Sequence, residues 1–221
     1  MDAVPVPLRE WKTDAARQFA DIISLHDDLT FVVQACERLV AMADDDDRDI
    51  VIARALWNAA LVTYSRCWDT GVRVGLRTDL LNNFEGDPIG FHKHLIRMRD
   101  KHVAHAVNPF EDVVVGLAIS PPGELSTASV GAVGFLVQKL IGWPAKSVTQ
   151  FGTVAAFLRA EVVKMYERQY EVVLAEARSA KIEEVLALPV ATLVTPGPDH
   201  VEQSRLRRKD EPSSCSTHGP C

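Results

Sequence analysis

The stretch TDAARQFADIISLHDDLTFVVQACERLVAM, residues 13–42, decides the fold, because its apolar side chains recur every three to four positions. This spacing places them on one face of an amphipathic helix and predicts a long helix over 13–42. Similar stripes predict further helices over 48–74, 88–106 and 149–186. Isolated helices are marginal in water, so we expect the four to pack together as one antiparallel bundle.

The chain between the third and fourth predicted helices has a different pattern. Residues 112–138 contain two β-branched, glycine-containing runs, DVVVGLAIS and STASVGAVGFLVQ, with Pro121, Pro122 and Gly123 between them. Such runs on either side of a turn predict a β-hairpin. The expected fold class is therefore mainly α: an antiparallel helical bundle of four to five long helices with an inserted β-hairpin.

Composition divides the 221 residues into one domain with two appendages. Residues 1–12 contain two prolines and predict an extended lead-in, and 13–188 should form the helical domain. After Leu188 the chain is rich in Pro, Ser, Gly and charge, and such a segment buries too little apolar surface to offset the entropy of ordering it. We therefore expect 189–221 to be a disordered tail.

The overall charge and the absence of targeting patterns narrow the class of protein. The chain has 24 Lys and Arg against 30 Asp and Glu, a formal net charge of −6. This charge disfavours a protein that coats nucleic acid nonspecifically, because such binding rests on many phosphate contacts. No apolar stretch approaches the roughly 20 residues of a membrane span, and no secretory signal pattern opens the sequence. We expect a cytoplasmic protein with reduced thiols and no membrane partner.

One short segment concentrates the groups that could carry chemistry. FHKHLIRMRDKHVAH, residues 91–105, contains four of the seven histidines and four basic residues, Lys93, Arg97, Arg99 and Lys101. Histidine titrates closest to neutral pH, and arginine is a permanent cation whose planar fork matches phosphate oxygens. This combination suits acid–base chemistry on a phosphodiester.

Helical geometry constrains how two of these side chains can meet. Arg99 and His105 are six residues apart, so on a continuous α-helix their directions differ by about 120°. They can converge if the helix loosens before Asn108 and Pro109, or if the long arginine side chain reaches across. A second copy of the segment, supplied across a two-fold axis, can also complete the site. We therefore expect a homodimer with the helix over 88–106 near the axis.

The text RDKHVAHAVNPFE resembles the motif of HEPN-domain proteins, in which an arginine and a polar residue precede a histidine. Here these residues are Arg99, Asp100 and, after four more residues, His105. The segment ALWNAALVTYSRCW is similar to the central helix of a prokaryotic branch of that family. The resemblance extends over about residues 13–186, and it implies the same all-helical scaffold.

The HEPN resemblance also implies a function: a metal-independent endoribonuclease, without cofactor, whose two motifs face each other in a dimer. In this role His105 would be the acid–base group at the RNA 2′-hydroxyl or leaving oxygen, Arg99 would bind the scissile phosphate, and Asp100 would orient them. Unpaired substrate is expected, as single-stranded or loop RNA, because A-form helices hide their base edges. A defence or toxin–antitoxin setting, with an antitoxin or regulatory partner, would follow. Four further residues would bind the RNA: His102, Lys101, Arg97 and Asn108.

An alternative interpretation is a noncatalytic helical dimerisation module that binds a partner protein or nucleotide. Arg99 and Asp100 would then make ordinary surface pairs, while His102 and His105 would cap the helix C-terminus, where the helix dipole favours cations. No metal site is expected in either case. The tail contains a C-x2-H-x2-C string formed by Cys215, His218 and Cys221. These are three potential ligands, whereas a structural zinc site uses four.

Overall fold

The structure is a computed structural model, and it describes residues 7–68, 73–103, 111–120, 129–140, 142–193, 195, 197 and 198. It is mainly helical with one small antiparallel sheet, which confirms that part of the predicted fold class. The helices and strands are, in chain order, α1 (Asp14–Ala41), α2 (Ile50–Arg66), α3 (Pro88–Met98), β1 (Glu111–Ser120), β2 (Ser129–Lys139), α4 (Ala145–Ser179) and α5 (Ile182–Ala187). A 3-10 turn over Thr78–Asn83 precedes α3, and a π-helical turn over Arg99–Val103 follows it.

Side-chain caps explain where the first two helices begin. The Thr13 hydroxyl accepts a hydrogen bond from the Ala16 amide at 3.2 Å, and the Asp49 carboxylate accepts from the amides of Val51 and Ile52. Each cap satisfies an amide that has no partner within its own helix. The bounds of α1 therefore agree with the helix predicted over 13–42.

The buried apolar side chains of the described residues form one hydrophobic core between α1, α2, α3 and α4. Leu25 and Leu29 of α1 meet Trp57 and Leu61 of α2 in this core, all with almost no exposed surface. Gly152 of α4 permits a close approach to α1, because a Cβ atom there would lie 3.1 Å from Cβ of Cys36. The core is thus shared by helices that are distant in sequence.

The second predicted helix is wrong at its C-terminal end, because α2 ends at Arg66 rather than at residue 74. The carbonyl of Cys67 accepts a hydrogen bond from the Leu76 amide at 2.7 Å, and Trp68 forms a backbone bridge with Leu76. The Val74 amide donates to the carboxylate of Asp21 at 2.8 Å. These contacts satisfy backbone groups that a continuing helix would have used.

The fourth predicted helix, over 149–186, is wrong in its continuity. Helix α4 already begins at Ala145 and ends at Ser179, and Ala180 has extended backbone angles before α5 begins. The break leads the chain back to its beginning: the amide of residue 10 donates to the carbonyl of residue 189, and the amide of residue 191 to that of residue 8. The predicted boundary between domain and tail falls within this pairing. Although α4 is 35 residues long, no described helix is apolar enough along its length to cross a membrane.

The predicted hairpin is confirmed as an antiparallel pair of strands. Its register aligns Glu111 with Lys139 and Ser120 with Ser129, with a bulge after Ala118. The predicted turn at 121–123 lies outside the described residues. Arg54 of α2 pairs with Glu111 at 2.8 Å, which ties the base of the hairpin to the helices.

Candidate active site

Helix α3 brings the predicted site residues to the surface of the helical core. The Asp87 carboxylate caps it by accepting from the Gly90 amide at 2.8 Å, and Pro88 occupies its first turn, where a missing N–H costs nothing. A Cβ atom at Gly90 would lie 2.1 Å from an Asp87 carboxylate oxygen, so a larger residue there would require the Asp87 side chain to shift. The cap therefore fixes where α3 starts and which residues it turns towards the core.

The two sides of α3 differ in chemistry. The buried side carries His92, Leu95 and Met98, which recur every three residues; Leu95 and Met98 belong to the shared core, and His92 contacts Tyr64 of α2. The opposite side carries Lys93 and Arg97, and Lys101 follows in the π-helical turn; all three are exposed and spaced four residues apart. We call these three cations the basic stripe.

The helix predicted over 88–106 changes character at Arg99. Regular α-helix ends at Met98, and Arg99–Val103 form a π-helical turn, in which hydrogen bonds join residues five apart. A π turn is wider than an α turn, so it alters the directions of the side chains that follow Arg99. His105 and Asn108 of the predicted site lie outside the described residues. The loosening expected before Asn108 therefore begins at the motif's arginine.

The guanidinium group of Arg99 is held from two sides. Its Nε donates to Oγ of Ser65 on α2 at 3.0 Å, and its Nη1 lies 2.8 Å from a carboxylate oxygen of Asp100. The Ser65 hydroxyl itself donates to the carbonyl of Val62 at 2.8 Å, so its oxygen is oriented towards Arg99. The side chains of Arg99 and Asp100 remain 39% and 50% exposed. The arrangement is a fixed cation that solvent can still reach.

A buried ion network supports the end of α2 that carries Ser65. Asp28 of α1 has almost no exposed surface and pairs with both Arg66 and Arg73, the latter at 2.8 Å. Arg73 also donates to the hydroxyl of Ser24 and to the carbonyl of Arg66. Two arginines compensate the buried carboxylate, and together they join the C-terminal end of α2 to α1. Ser65 is thereby held next to α3.

Three of the clustered histidines occupy positions unlike that of Arg99. His92 is buried, and its Nδ1 lies 3.1 Å from the Tyr64 hydroxyl. His94 packs its ring against Trp143, with 4.5 Å between ring centroids. His102, predicted to bind substrate, is buried within the π turn, whereas its neighbour Lys101 is exposed. These three described histidines therefore do not form one exposed group with the basic stripe.

Burial also suppresses the titration of several groups near neutral pH. Desolvation, followed by the charge of Lys93, lowers the pKa of His92 to about 4, and desolvation with Arg97 lowers the pKa of His94. Desolvation raises the pKa of the Cys36 and Cys67 thiols to about 12. His92 is thus a neutral hydrogen-bonding group at pH 7, and both thiols are protonated there.

Metal chemistry has no site among the described residues: no three His, Cys, Asp or Glu side chains are grouped to hold an ion. The tail string Cys215, His218 and Cys221 lies outside them. A cavity of about 460 Å³ lies between the end of α1 and the start of α2, beside Trp57 and Trp143, on a surface that the sequence did not single out.

No family model, curated protein or solved structure matches this chain. The site is therefore interpreted from its geometry and from the resemblance of its motif. The sequence singled out Arg99, Asp100 and the basic stripe, all of which the structure places on α3 or its π turn. It missed Ser65, which lies within the quoted segment ALWNAALVTYSRCW, because a serine in an amphipathic helix carries no signal of its long-range partner.

Proposed function

We propose that this protein is a HEPN-like, metal-independent endoribonuclease that cleaves single-stranded or loop RNA. The observation that carries the proposal is the Arg99 guanidinium, oriented by Ser65 and Asp100 yet open to solvent. The basic stripe lies on the same helix and supplies cations for neighbouring phosphates. A fixed cation beside the short basic stripe suits the binding of one RNA strand better than the nonspecific coating of nucleic acid.

The proposed reaction needs one cation and one titrating group around a single phosphate. Arg99 binds the scissile phosphate and stabilises the charge that develops on it, without having to reorient during the reaction. His105 removes the proton from the 2′-hydroxyl and then protonates the leaving 5′ oxygen. This role is assigned to His105 from the resemblance to the HEPN motif. Asp100 and Ser65 act as positioning residues, because they hold the guanidinium rather than the substrate.

The wider setting is also part of the proposal. We place the site on a HEPN-like antiparallel bundle of four to five long helices, in a cytoplasmic homodimer with α3 near the two-fold axis. A second copy would then supply a His105 to complete the site across that axis. In a defence or toxin–antitoxin role, an antitoxin or regulatory partner would cover the basic stripe until RNA cleavage is required.

Cleavage of mixed RNA by the purified full chain in EDTA tests the proposal. His105→Ala and Arg99→Ala should each reduce the rate at least about 100-fold, since a general base or a fixed charge contact typically supplies that much. Arg77→Ala is the matched control, because Arg77 is an exposed arginine paired with Asp79 at 3.2 Å and should keep the wild-type rate. DNA of the same sequence should survive, because it lacks the 2′-hydroxyl.

Two outcomes would contradict this mechanism. Wild-type cleavage by the His105→Ala variant would remove the proposed acid–base group. Inhibition of the wild type by EDTA would indicate a metal-dependent reaction instead.

A second candidate is a noncatalytic dimerisation module that binds a partner protein. It is favoured by the ion pair that already engages Arg99 with Asp100, which would make the arginine a structural link between α2 and α3. In that case Arg99→Ala should lower the thermal stability of the protein, and neither the wild type nor any variant should cleave RNA. The cleavage assay and a melting curve of the same samples separate the two candidates.

A further inference from the structure

Beyond the charged pair at its base, Glu111 and Lys139, one face of the β-hairpin is apolar. Side chains directly opposite in an antiparallel pair point to the same side, and the register therefore assigns eight apolar residues to one face. We call it the Val115 face; its members are Val113, Val115, Leu117, Ile119, Val130, Val133, Phe135 and Val137. Each is between 51% and 72% exposed. The described part of the chain leaves this face uncovered.

The opposite face is flatter and less apolar. Its centre is the pair Gly116 and Gly134, followed by the pair Ala118 and Ala132. Val114 and Leu136 are the large apolar side chains on this side. The hairpin thus has one bulky apolar face and one face with little side-chain volume.

An uncovered face of this kind is unfavourable in an isolated hairpin. Two-stranded hairpins are marginal in water unless another layer packs against them. Monomeric soluble proteins rarely expose contiguous apolar patches beyond a few hundred Å², and larger ones mark interaction sites. The Val115 face therefore requires a covering layer that is not supplied by α1–α5.

The chemistry of the face favours a second copy of this chain as that layer. The two strands carry only three charged residues, Glu111, Asp112 and Lys139, all at the base of the hairpin. The register places Glu111 and Lys139 opposite each other at the edge of the Val115 face, where Glu111 already pairs with Arg54 of α2. The eight apolar positions beyond this edge carry no charge, so the face offers one lysine to RNA or an anionic lipid surface and needs no complementary charge across its apolar area. Its eight side chains present roughly 800 Å², the area per partner of a standard stable interface.

We infer that the Val115 faces of two copies stack to form the homodimer interface. The contact is isologous, since each copy offers the same patch to the other. The two sheets lie about 10 Å apart, as in other face-to-face packings, with Phe135 and Val115 contributing to the apolar layer between them. The inference rests on the homodimer of the proposed function and names the surface that holds it together.

The alternation of the strand supplies a matched pair of variants. Phe135 and Leu136 are adjacent and similarly exposed, 72% and 75%, but point to opposite faces. Phe135→Asp should raise the dissociation constant of the homodimer at least about 30-fold, the effect of losing a central apolar contact. Leu136→Asp should change it less than about threefold. Sedimentation equilibrium over a concentration series measures both.

A milder pair protects the test against misfolding. Val115→Thr and Val114→Thr retain β-branching, so both preserve the strand preference while only the first places a hydroxyl on the Val115 face. Circular dichroism of each variant should show the wild-type helix content. Val115→Thr should weaken the dimer more than Val114→Thr does.

Three results would overturn the interface: a wild type that is monomeric at tens of micromolar, equal effects of Phe135→Asp and Leu136→Asp, or no effect of either. A monomeric wild type would assign the Val115 face to another protein or to a lipid surface. The ribonuclease proposal fails separately. RNA cleavage by a monomeric wild type would keep the ribonuclease activity but remove both the interface and the site completed across the two-fold axis, whereas a dimer without His105-dependent cleavage would leave only the interface.

Discussion

The helical core and the β-hairpin contain similar apolar residues but cover them to different extents. Leu25, Leu61 and Phe151 have no exposed surface, whereas Val133 and Phe135 expose more than two thirds of theirs. Each of the helices α1–α4 presents one apolar stripe to a core shared with the other three, while the hairpin presents two faces and packs against no second layer among the described residues. The helices α1–α4 therefore cover one another's apolar side chains, whereas no described element covers those of the hairpin.

The largest effect is expected in the shared core. Phe151 contacts the rings of Trp57 and Tyr64 at centroid distances of 6.1 and 5.2 Å, and its removal leaves a cavity among them. Phe151→Ala should lower the free energy of unfolding by about 3–5 kcal/mol. Urea denaturation followed by circular dichroism measures this value. A loss under about 1 kcal/mol would show that the core repacks easily, and the helical core would then differ less from the exposed hairpin.

A smaller effect is expected from the buried histidine. In the folded state His92 stays neutral down to its pKa of about 4, whereas in the unfolded chain it is protonated below about pH 6.5. The unfolded state binds more protons between these values, so the free energy of unfolding should fall by about 2 kcal/mol from pH 7 to pH 5. His92→Gln should lose less over this interval. Equal pH dependence of variant and wild type would remove His92 as the cause.

The smallest effect is expected in the hairpin of the monomer. Phe135→Ala removes a ring that contacts mainly water, so at protein concentrations below dimerisation the free energy of unfolding should change by less than about 0.5 kcal/mol. At higher concentration the loss should grow, because a dimer stabilises the folded state by mass action. A large loss at every concentration would show that the ring packs within its own chain.

The sequence predicts the elements whose patterns are local. The apolar stripe over 13–42 predicts α1 closely, and the β-branched run from Val113 to Ile119 predicts β1. The errors lie where tertiary contacts replace the expected helix. Leu76 and Asp21 bind backbone groups that follow α2, and residues 8 and 10 pair with residues 191 and 189 beyond the break after α4. Periodicity cannot indicate such partners, because they are 40 or more residues away or depend on a tertiary path.

The candidate site was predictable in its residues but not in its arrangement. The clustering of cations on the third helix identified Arg99 and the basic stripe. The π turn has no sequence signal here, and neither the Ser65 contact nor the burial of His102 follows from a motif. Both depend on how α2 packs against α3, which is decided by Leu95 and Met98 meeting the shared core.

The backbone pairing of residues 8 and 10 with 191 and 189 determines how the molecule responds to tension. Its two hydrogen bonds lie one behind the other, and the pair between residues 8 and 191 is the outer one. Pulling the chain at residues 7 and 192 in opposite directions would open them singly, in an unzipping geometry, instead of loading them together. Force applied at these two residues would first release α5. Helices α1 and α4 would bear load only after this backbone pairing had opened.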